Sequence, residues 1–133
     1  MIPIVFINCK SVPFLLYIMQ KLKLYETRNR DTLKNLTGRR VYLAETGNGP
    51  PMVRCSAVLL PAVAVRDRSA WRKLRRETLV PACSKYDWNS KTTVKYLYRI
   101  TDIKPVPVPF PLPADSVRHG RIWAEYKNEV SKL

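Results

Sequence analysis

The sequence predicts an α+β, mainly β domain: a small, partly open β-barrel with an N-terminal helix packed against it. Two features predict this architecture. Short runs of apolar or alternating residues recur between turn signals, which is typical of short strands. One segment near the N-terminus instead carries apolar residues at helical spacing. The 133 residues fit one domain, so we expect a single domain over residues 1–133 with its core at about 2–126.

The chain is predicted to begin with a buried strand and a helix. Residues 2–7 are almost continuously apolar, as expected of a strand covered on both faces. Ser11 can cap a helix, and Pro13 is tolerated in its first turn. The positions predicted to form the core face of this helix are Val12, Leu15, Leu16 and Met19.

A strong turn signal, TGNGPP at residues 46–51, separates two predicted strands at 40–45 and 52–60, which we interpret as a hairpin. Residues 31–38 predict a short helix or turn. The remaining predicted strands are 22–28, 93–102 and 121–126. Alternate prolines in 104–113 remove donors from a β-ladder and predict an extended, edge-like segment. A weaker alternative is that this proline run is a ligand for another protein.

The charge balance points to a polyanionic partner. Lys and Arg number 24 against 10 Asp and Glu, a formal net charge of +14. Displacement of counterions from phosphates is a common use of such an excess. We therefore expect a nucleic acid, either RNA or DNA, or a nucleotide as the partner.

The cysteines and the N-terminus indicate the compartment. Cys9, Cys55 and Cys83 are odd in number and far apart, which argues against a disulfide framework or a zinc finger. The first 20 residues are interrupted by polar and charged residues and predict no membrane span. A cytoplasmic protein is expected, and the scattered acidic residues predict no metal site and no cofactor.

The most informative segment contains Lys23, Glu26 and Arg28. On a regular strand Lys23 would face away from Glu26, but a strand end or bulge would let the three charged groups converge. A carboxylate between two cations can orient them by charge-assisted hydrogen bonds and leave donors for an anion or a base edge. The alternative is an ion-pair cluster that merely closes the end of the barrel.

These three residues resemble the GxKxxExR motif of ASCH domains, which belong to the PUA-like superfamily. The order of predicted elements is also similar over roughly residues 2–126. The resemblance implies a PUA-like β-barrel with a cleft between barrel and helix that accommodates RNA or a modified base. By analogy Lys23, Glu26 and Arg28 would line it, together with Tyr25 inside the motif. Lys21 replaces the motif's glycine and adds a cation near the cleft.

The resemblance leaves two functions open. Some ASCH members are hydrolases, either amidohydrolases of acetylated cytidine with a Lys-activated Thr nucleophile or ribonucleases. Glu26 occupies the position of that Thr, and Thr27 would face the other way on a strand. A binding module is therefore favoured, and in a hydrolase the catalytic candidates are Lys23 and Glu26. His119, the only histidine, is expected to contact phosphate or solvent.

Two further segments combine cations with aromatic residues or with each other. In the loop 80–92, Lys85, Tyr86 and Trp88 suit base stacking and phosphate contact, unless Trp88 covers the core. Residues 66–78 predict a basic helix capped by Ser69 that could follow a phosphate backbone, the alternative being a solvated face. Its candidate binding residues are Arg72, Arg75 and Arg76. Trp71 and Trp123 are predicted to lie in the core.

Overall fold

Eight strands form one curled sheet in the computed structural model, which describes residues 2–126. In chain order the elements are β1 Ile2–Asn8, α1 Phe14–Met19, β2 Tyr25–Arg28, a 3-10 turn Lys34–Leu36, β3 Arg40–Thr46, β4 Met52–Leu59, β5 Val63–Val65, α2 Arg68–Lys73, α3 Arg75–Thr78, β6 Lys95–Pro111, β7 Val117–His119 and β8 Trp123–Tyr126. The strand order is β2-β6-β4-β3-β1-β8-β7, with β5 also paired to β6. Only the β1–β3 pairing is parallel among these strands.

The sheet curls around β6, a long strand that pairs with different strands along its length. Its first residues pair with β2 and β5, and its later residues pair with β4. The β4–β6 register shifts twice, between Val53 and Cys55 and between Ser56 and Val58. Such bulges bend a strand and increase its twist. The mainly-β architecture predicted from the sequence is therefore present as a curled, half-barrel sheet.

The core is divided over the two faces of the sheet. Cys55, Ala57 and Leu59 of β4 are buried at the period of two that a strand requires, and they belong to the largest hydrophobic cluster together with Val5 of β1. Val53 is separated from them by a register shift and belongs to a second cluster with Ile4, on the opposite face of β1. A third cluster, around Trp71, lies beneath α2 and the loop that follows α3. The core position predicted for Trp71 is confirmed, whereas Trp123 is only partly buried against the first cluster.

The predicted N-terminal helix is not confirmed in its expected form. α1 has only six residues, and Ser11 does not cap it. Its buried residues are Phe14, Leu15 and Ile18, while Leu16 is 52% exposed. The predicted face differs from the observed one by a single residue, and one residue rotates the apolar face of a helix by about 100°. Leu16 therefore lies outside the core.

Lys21 ends α1 in a left-handed conformation, with φ of 61°. The N–H of Leu22 donates to the carbonyl of Tyr17, and the N–H of Lys21 donates to that of Ile18, both at 2.9 Å. These two bonds define a Schellman motif, in which the left-handed position usually holds glycine. Lys21 thus replaces the glycine of the GxKxxExR motif at the one position of this turn where a left-handed backbone favours glycine.

The predicted basic helix 66–78 is broken into α2 and α3 at Leu74. Its cap is Asp67 rather than Ser69, since the Asp67 carboxylate accepts the N–H of Ala70 at 3.2 Å.

The short strands β5 and β7 were not predicted. None of the helices in residues 2–126 is long and apolar enough to cross a membrane.

The proline run 104–111 is the second half of β6, and β4 pairs along it. β2 and β5 pair only with residues 95–99, so the other side of the run faces no strand among residues 2–126. Prolines fit such an edge because no ladder donor is needed there. The extended, edge-like interpretation therefore agrees with the structure. The sequence also predicts that residues 128–133, NEVSKL, fray, and these residues lie outside the part of the chain that the structure describes.

Candidate functional site

A cavity of about 490 Å³ opens beside the KxxExR segment. Its wall is built from β1, β2, the first residues of α1 and β6, the turn after β3, the loop 80–92 and the segment from β7 to β8. This volume lies within the usual range for small-molecule pockets, about 300–1,000 Å³. The three motif residues, Lys23, Glu26 and Arg28, all line it.

Lys23 lies in the segment between α1 and β2, directly after the Schellman motif. Its ammonium donates to the carbonyl of Thr78 at 2.5 Å and lies 4.6 Å from the centre of the Phe14 ring. The residue is 1% exposed. Burial lowers the pKa of Lys23 to about 8, although the nearby Glu26 carboxylate opposes this shift. A fraction of Lys23 is therefore neutral near physiological pH.

Glu26 and Arg28 share one face of β2. One Glu26 oxygen accepts the N–H of Thr27 at 2.9 Å, and the other lies 3.6 Å from the Arg28 guanidinium. That guanidinium also donates to the carbonyl of Phe6 at 2.9 Å. β2 begins only at Tyr25, so Lys23 lies before the strand. The alternation of strand side chains therefore does not determine the direction of its side chain. The strand end thus brings the three charged groups to one cavity.

The loop 80–92 contributes Lys85 and Tyr86 to the cavity wall. The Tyr86 ring meets Phe14 edge to face, with centroids 5.3 Å apart, and the Lys85 ammonium lies 5.1 Å from the Tyr86 ring centre. Trp88 does not line the cavity and instead packs against the cluster around Trp71. Its alternative interpretation, as a cover for the core, agrees with this position.

Two other candidate binding residues have different partners. Tyr25 packs against the Trp71 cluster and carries the Arg99 guanidinium 5.5 Å above its ring, away from the cavity lining. Arg75 donates to the carbonyl of Val80 at 2.6 Å and pairs with Asp87 at 3.2 Å. Arg75 therefore holds a loop together, because its guanidinium is already used by oxygen acceptors. Arg72 and Arg76 are exposed and do not line the cavity.

Asp87 organises that loop. Its carboxylate accepts the indole N–H of Trp71 at 2.7 Å and the backbone N–H groups of Cys83 and Trp88, each at 2.8 Å. Burial alone would raise the pKa of Asp87, but these hydrogen bonds and the charge of Arg75 together lower it to about 2. The loop that carries Lys85 and Tyr86 is thus fixed from beneath by one carboxylate.

Sequence reasoning missed six polar residues of the cavity wall: Asn8, Asn29, Thr46, Lys95, Arg118 and Arg121. The alternation of Val94, Tyr96, Tyr98 and Ile100 predicted Lys95 on the opposite, exposed face of the strand, yet Lys95 is 3% exposed. Arg118 and Arg121 belong to the basic segment RHGR, which is the one sequence signal that could have indicated them. His119 is not among the lining residues; it stacks on Trp123 at 4.0 Å between centroids and lies 3.3 Å from Glu125.

The cavity is strongly basic. Six of its lining residues are Lys or Arg, and Glu26 is its one acidic lining residue. Arg118 and Arg121 form no ion pair within residues 2–126. No three His, Cys, Asp or Glu side chains in that range lie close enough together to hold a metal ion. The chemistry available at the wall is therefore cationic, hydrogen-bonding and aromatic.

No protein-family model matches the sequence, and no curated protein matches it. Crystal structures of the ASCH protein of Zymomonas mobilis are similar to it. A serine-to-alanine variant has a TM-score of 0.74 at 18% identity, over 98% of this chain and 91% of that one. The unsubstituted protein has a TM-score of 0.73 at 18% identity, over 98% and 90%. A tyrosine-to-phenylalanine variant has a TM-score of 0.73, also at 18% identity, over 98% and 93%.

Identity at this level supports a shared architecture rather than a shared activity. The match extends over 98% of this chain, which is almost its whole length. The chain therefore has the ASCH fold, as its KxxExR segment implied.

Proposed function

We propose that this protein is an RNA-binding module that holds one nucleotide of a single strand in the cavity beside Lys23, Glu26 and Arg28. The observation that carries the proposal is the composition of the wall: six cationic residues and one carboxylate around about 490 Å³, with aromatic rings at one side. Positive grooves with aromatic platforms are the common solution for binding single-stranded nucleic acid.

The base is proposed to lie against Tyr86. This ring is fixed by its edge-to-face contact with Phe14 and by a loop held on Asp87. Stacking of one base on an aromatic side chain contributes about 1–3 kcal/mol. Glu26 would then accept a base N–H, because one of its oxygens has only the Arg28 guanidinium nearby, at 3.6 Å.

The phosphates are proposed to lie at the rim, near Arg118, Arg121 and Lys85. All three residues are exposed and line the cavity. Their exposed cationic groups can displace counterions from a backbone without the cost of burying a charge. The exposed Arg72 and Arg76 of α2 and α3 are proposed to extend this phosphate-binding surface.

Fluorescence anisotropy of a labelled single-stranded RNA tests the proposal. Affinity is expected to fall steeply between 50 and 200 mM salt, two concentrations chosen to expose counterion release. Arg118→Gln should lower the slope of log K against log salt by about one. Arg39→Gln is the matched control, since Arg39 is exposed but does not line the cavity. A salt-independent affinity, or equal effects of the two variants, would contradict the proposal.

A hydrolase of a modified nucleoside or of RNA is the second candidate. The depressed pKa of Lys23 beside Glu26 favours it, because a neutral amine at that position can accept a proton. Thr27 also borders the cavity, which the strand alternation did not predict. Binding remains favoured because the Lys23 ammonium is held by Thr78 and Phe14, and Glu26 occupies the position of the nucleophile.

Incubation with acetylated cytidine and with single-stranded RNA, followed by mass spectrometry of the products, separates the two functions. Unchanged substrates are expected for a binding module. Turnover that is lost in Lys23→Ala would establish the hydrolase instead.

All three cysteines are free, and we propose a reducing compartment such as the cytoplasm for the same protein.

A further inference from the structure

Lys95 is a buried lysine at the floor of the cavity. It is 3% exposed, and its ammonium donates to Asn29 Oδ1 at 2.7 Å and to the carbonyl of Tyr86 at 2.8 Å. The same group lies 5.3 Å from the centre of the Trp71 ring. Burying a lysine is costly unless its donors are used, and here they join three separate segments of the chain. An apolar residue would fill the same space without holding Asn29.

The contact fixes which way the Asn29 amide points. A lysine ammonium has donors only, so it must bind the oxygen of the amide and not its nitrogen. The Nδ2 group of Asn29 is therefore directed away from Lys95. Within residues 2–126 no acceptor binds this Nδ2 group, and Asn29 is exposed on the cavity wall. One face of the cavity thus presents an oriented, unused N–H donor.

We propose that Asn29 is a specificity-determining residue that donates from Nδ2 to an exocyclic carbonyl oxygen of the bound base, and that Lys95 is the positioning residue that fixes this donor. The inference rests on the proposed RNA binding and adds a class of base to it. Guanine, uracil and cytosine carry such a carbonyl, whereas adenine does not.

The contact with Lys95 disfavours the usual way in which asparagine recognises adenine. That recognition is bidentate, with the amide oxygen accepting from N6 and the amide nitrogen donating to N7. Lys95 takes one of the two lone pairs of the Asn29 oxygen, so an adenine N6 donor would have to reach the other lone pair beside a buried ammonium, whereas the Nδ2 donor is unobstructed. Glu26 supplies an acceptor from another part of the wall, which suits a base that offers both a carbonyl oxygen and an N–H group.

Asn29→Asp tests the donor with little change of shape. The aspartate keeps an oxygen for Lys95 but has no N–H, so thermal stability should not fall. Affinity for GMP, CMP and UMP, measured by competition against labelled single-stranded RNA, is expected to fall about tenfold more than affinity for AMP. The readout is the ratio of the affinities for the different nucleotides. The added negative charge near the phosphate lowers the affinity for all four nucleotides alike, so it leaves this ratio unchanged.

Two further variants complete the test. Asn89→Asp adds the same charge outside the cavity lining and should leave the ratio between bases unchanged. Lys95→Met should remove the preference for carbonyl-bearing bases even where some affinity remains. If the wild-type protein binds no RNA and no nucleotide, the proposed function fails. If it binds but prefers AMP, or if Asn29→Asp keeps the wild-type ranking, the assignment of Asn29 alone is overturned.

Discussion

The ammonium group of Lys23 lies 4.6 Å from the centre of the Phe14 ring, so a residue of α1 faces the cation that immediately follows the helix. The attraction between a cation and an aromatic face is stronger where water is excluded. This contact, together with the bond to Thr78, keeps a buried ammonium in place despite its cost.

The first prediction concerns stability and pH. The pKa of Lys23 is lowered from 10.5 to about 8 in the folded protein, so between these values the unfolded chain holds a proton that the folded one has lost. The free energy of unfolding should therefore rise with pH over this interval, by roughly 3 kcal/mol from this residue.

Urea denaturation at several pH values from 7 to 10.5 measures this effect as the difference between wild type and Lys23→Met, which removes the titrating group. Lys21→Met is the matched control, because it makes the same substitution at an exposed lysine two residues away. Parallel pH profiles for wild type and Lys23→Met would contradict the buried, depressed lysine.

Lys21→Gly should stabilise the protein. Lys21 holds a φ of 61° at the Schellman position, where a residue with a Cβ costs about 1–2 kcal/mol. Glycine removes that cost but adds about 0.4–1 kcal/mol of chain entropy to the unfolded state. A net gain of up to about 1 kcal/mol is expected in urea titrations. Lys21→Ala removes the same side chain and keeps the strain, so a gain of equal size there would refute the backbone explanation.

Gly47→Ala should destabilise the protein and alter the cavity wall. Gly47 has a φ of 92°, and a Cβ there would lie 2.8 Å from the side-chain oxygen of Asn8 and 2.9 Å from the backbone nitrogen of Lys10. We expect a loss of about 2–4 kcal/mol in the free energy of unfolding, from strain and overpacking together. Gly49→Ala is the matched control, with a φ of 93° and open space around the new methyl group. Equal losses in the two variants would show that crowding at Gly47 contributes nothing.

Asp87→Asn should loosen the loop that carries Lys85 and Tyr86. The substitution removes the charge that binds Arg75, and because Arg75 is partly exposed to solvent we expect a loss of about 1–2 kcal/mol at pH 7. The pKa of Asp87 is lowered from 3.8 to about 2, so its contribution is present above pH 3.8 and disappears as the pH falls to 2.

Thermal unfolding of wild type and Asp87→Asn at pH 7 and at pH 2 measures both effects, and the two proteins should converge at pH 2. Asp67→Asn is the control, since asparagine also caps a helix. A difference between wild type and Asp87→Asn that persists at pH 2 would be inconsistent with a charge effect.

Local patterns were sufficient for most of the sheet. The apolar run of β1, the turn signal between β3 and β4 and the alternation in β6 each depend on neighbouring residues, and all four strands lie where these patterns predicted them. Short strands were harder to predict from the sequence. β5 and β7 have three residues each, which is too few for a period of two to be recognised.

The site was predicted only in part, for a similar reason. Lys23, Glu26 and Arg28 lie within six residues of one another, so a motif could indicate them. Arg75 seemed equally available for phosphate, but its partner Asp87 lies 12 residues away across a turn. No local pattern shows that a cation already has a partner, and the structure therefore corrected this residue.

Periodicity, charge and a short motif are local properties, so the mainly-β architecture, the basic character and the position of the KxxExR segment can all be predicted from the sequence. Which side chains meet depends on the tertiary fold. The bond between Lys95 and Asn29 joins residues 66 positions apart, and it depends on β2 and β6 pairing in one particular register. Such contacts follow from long-range strand pairing, which fixes distances that no stretch of sequence contains.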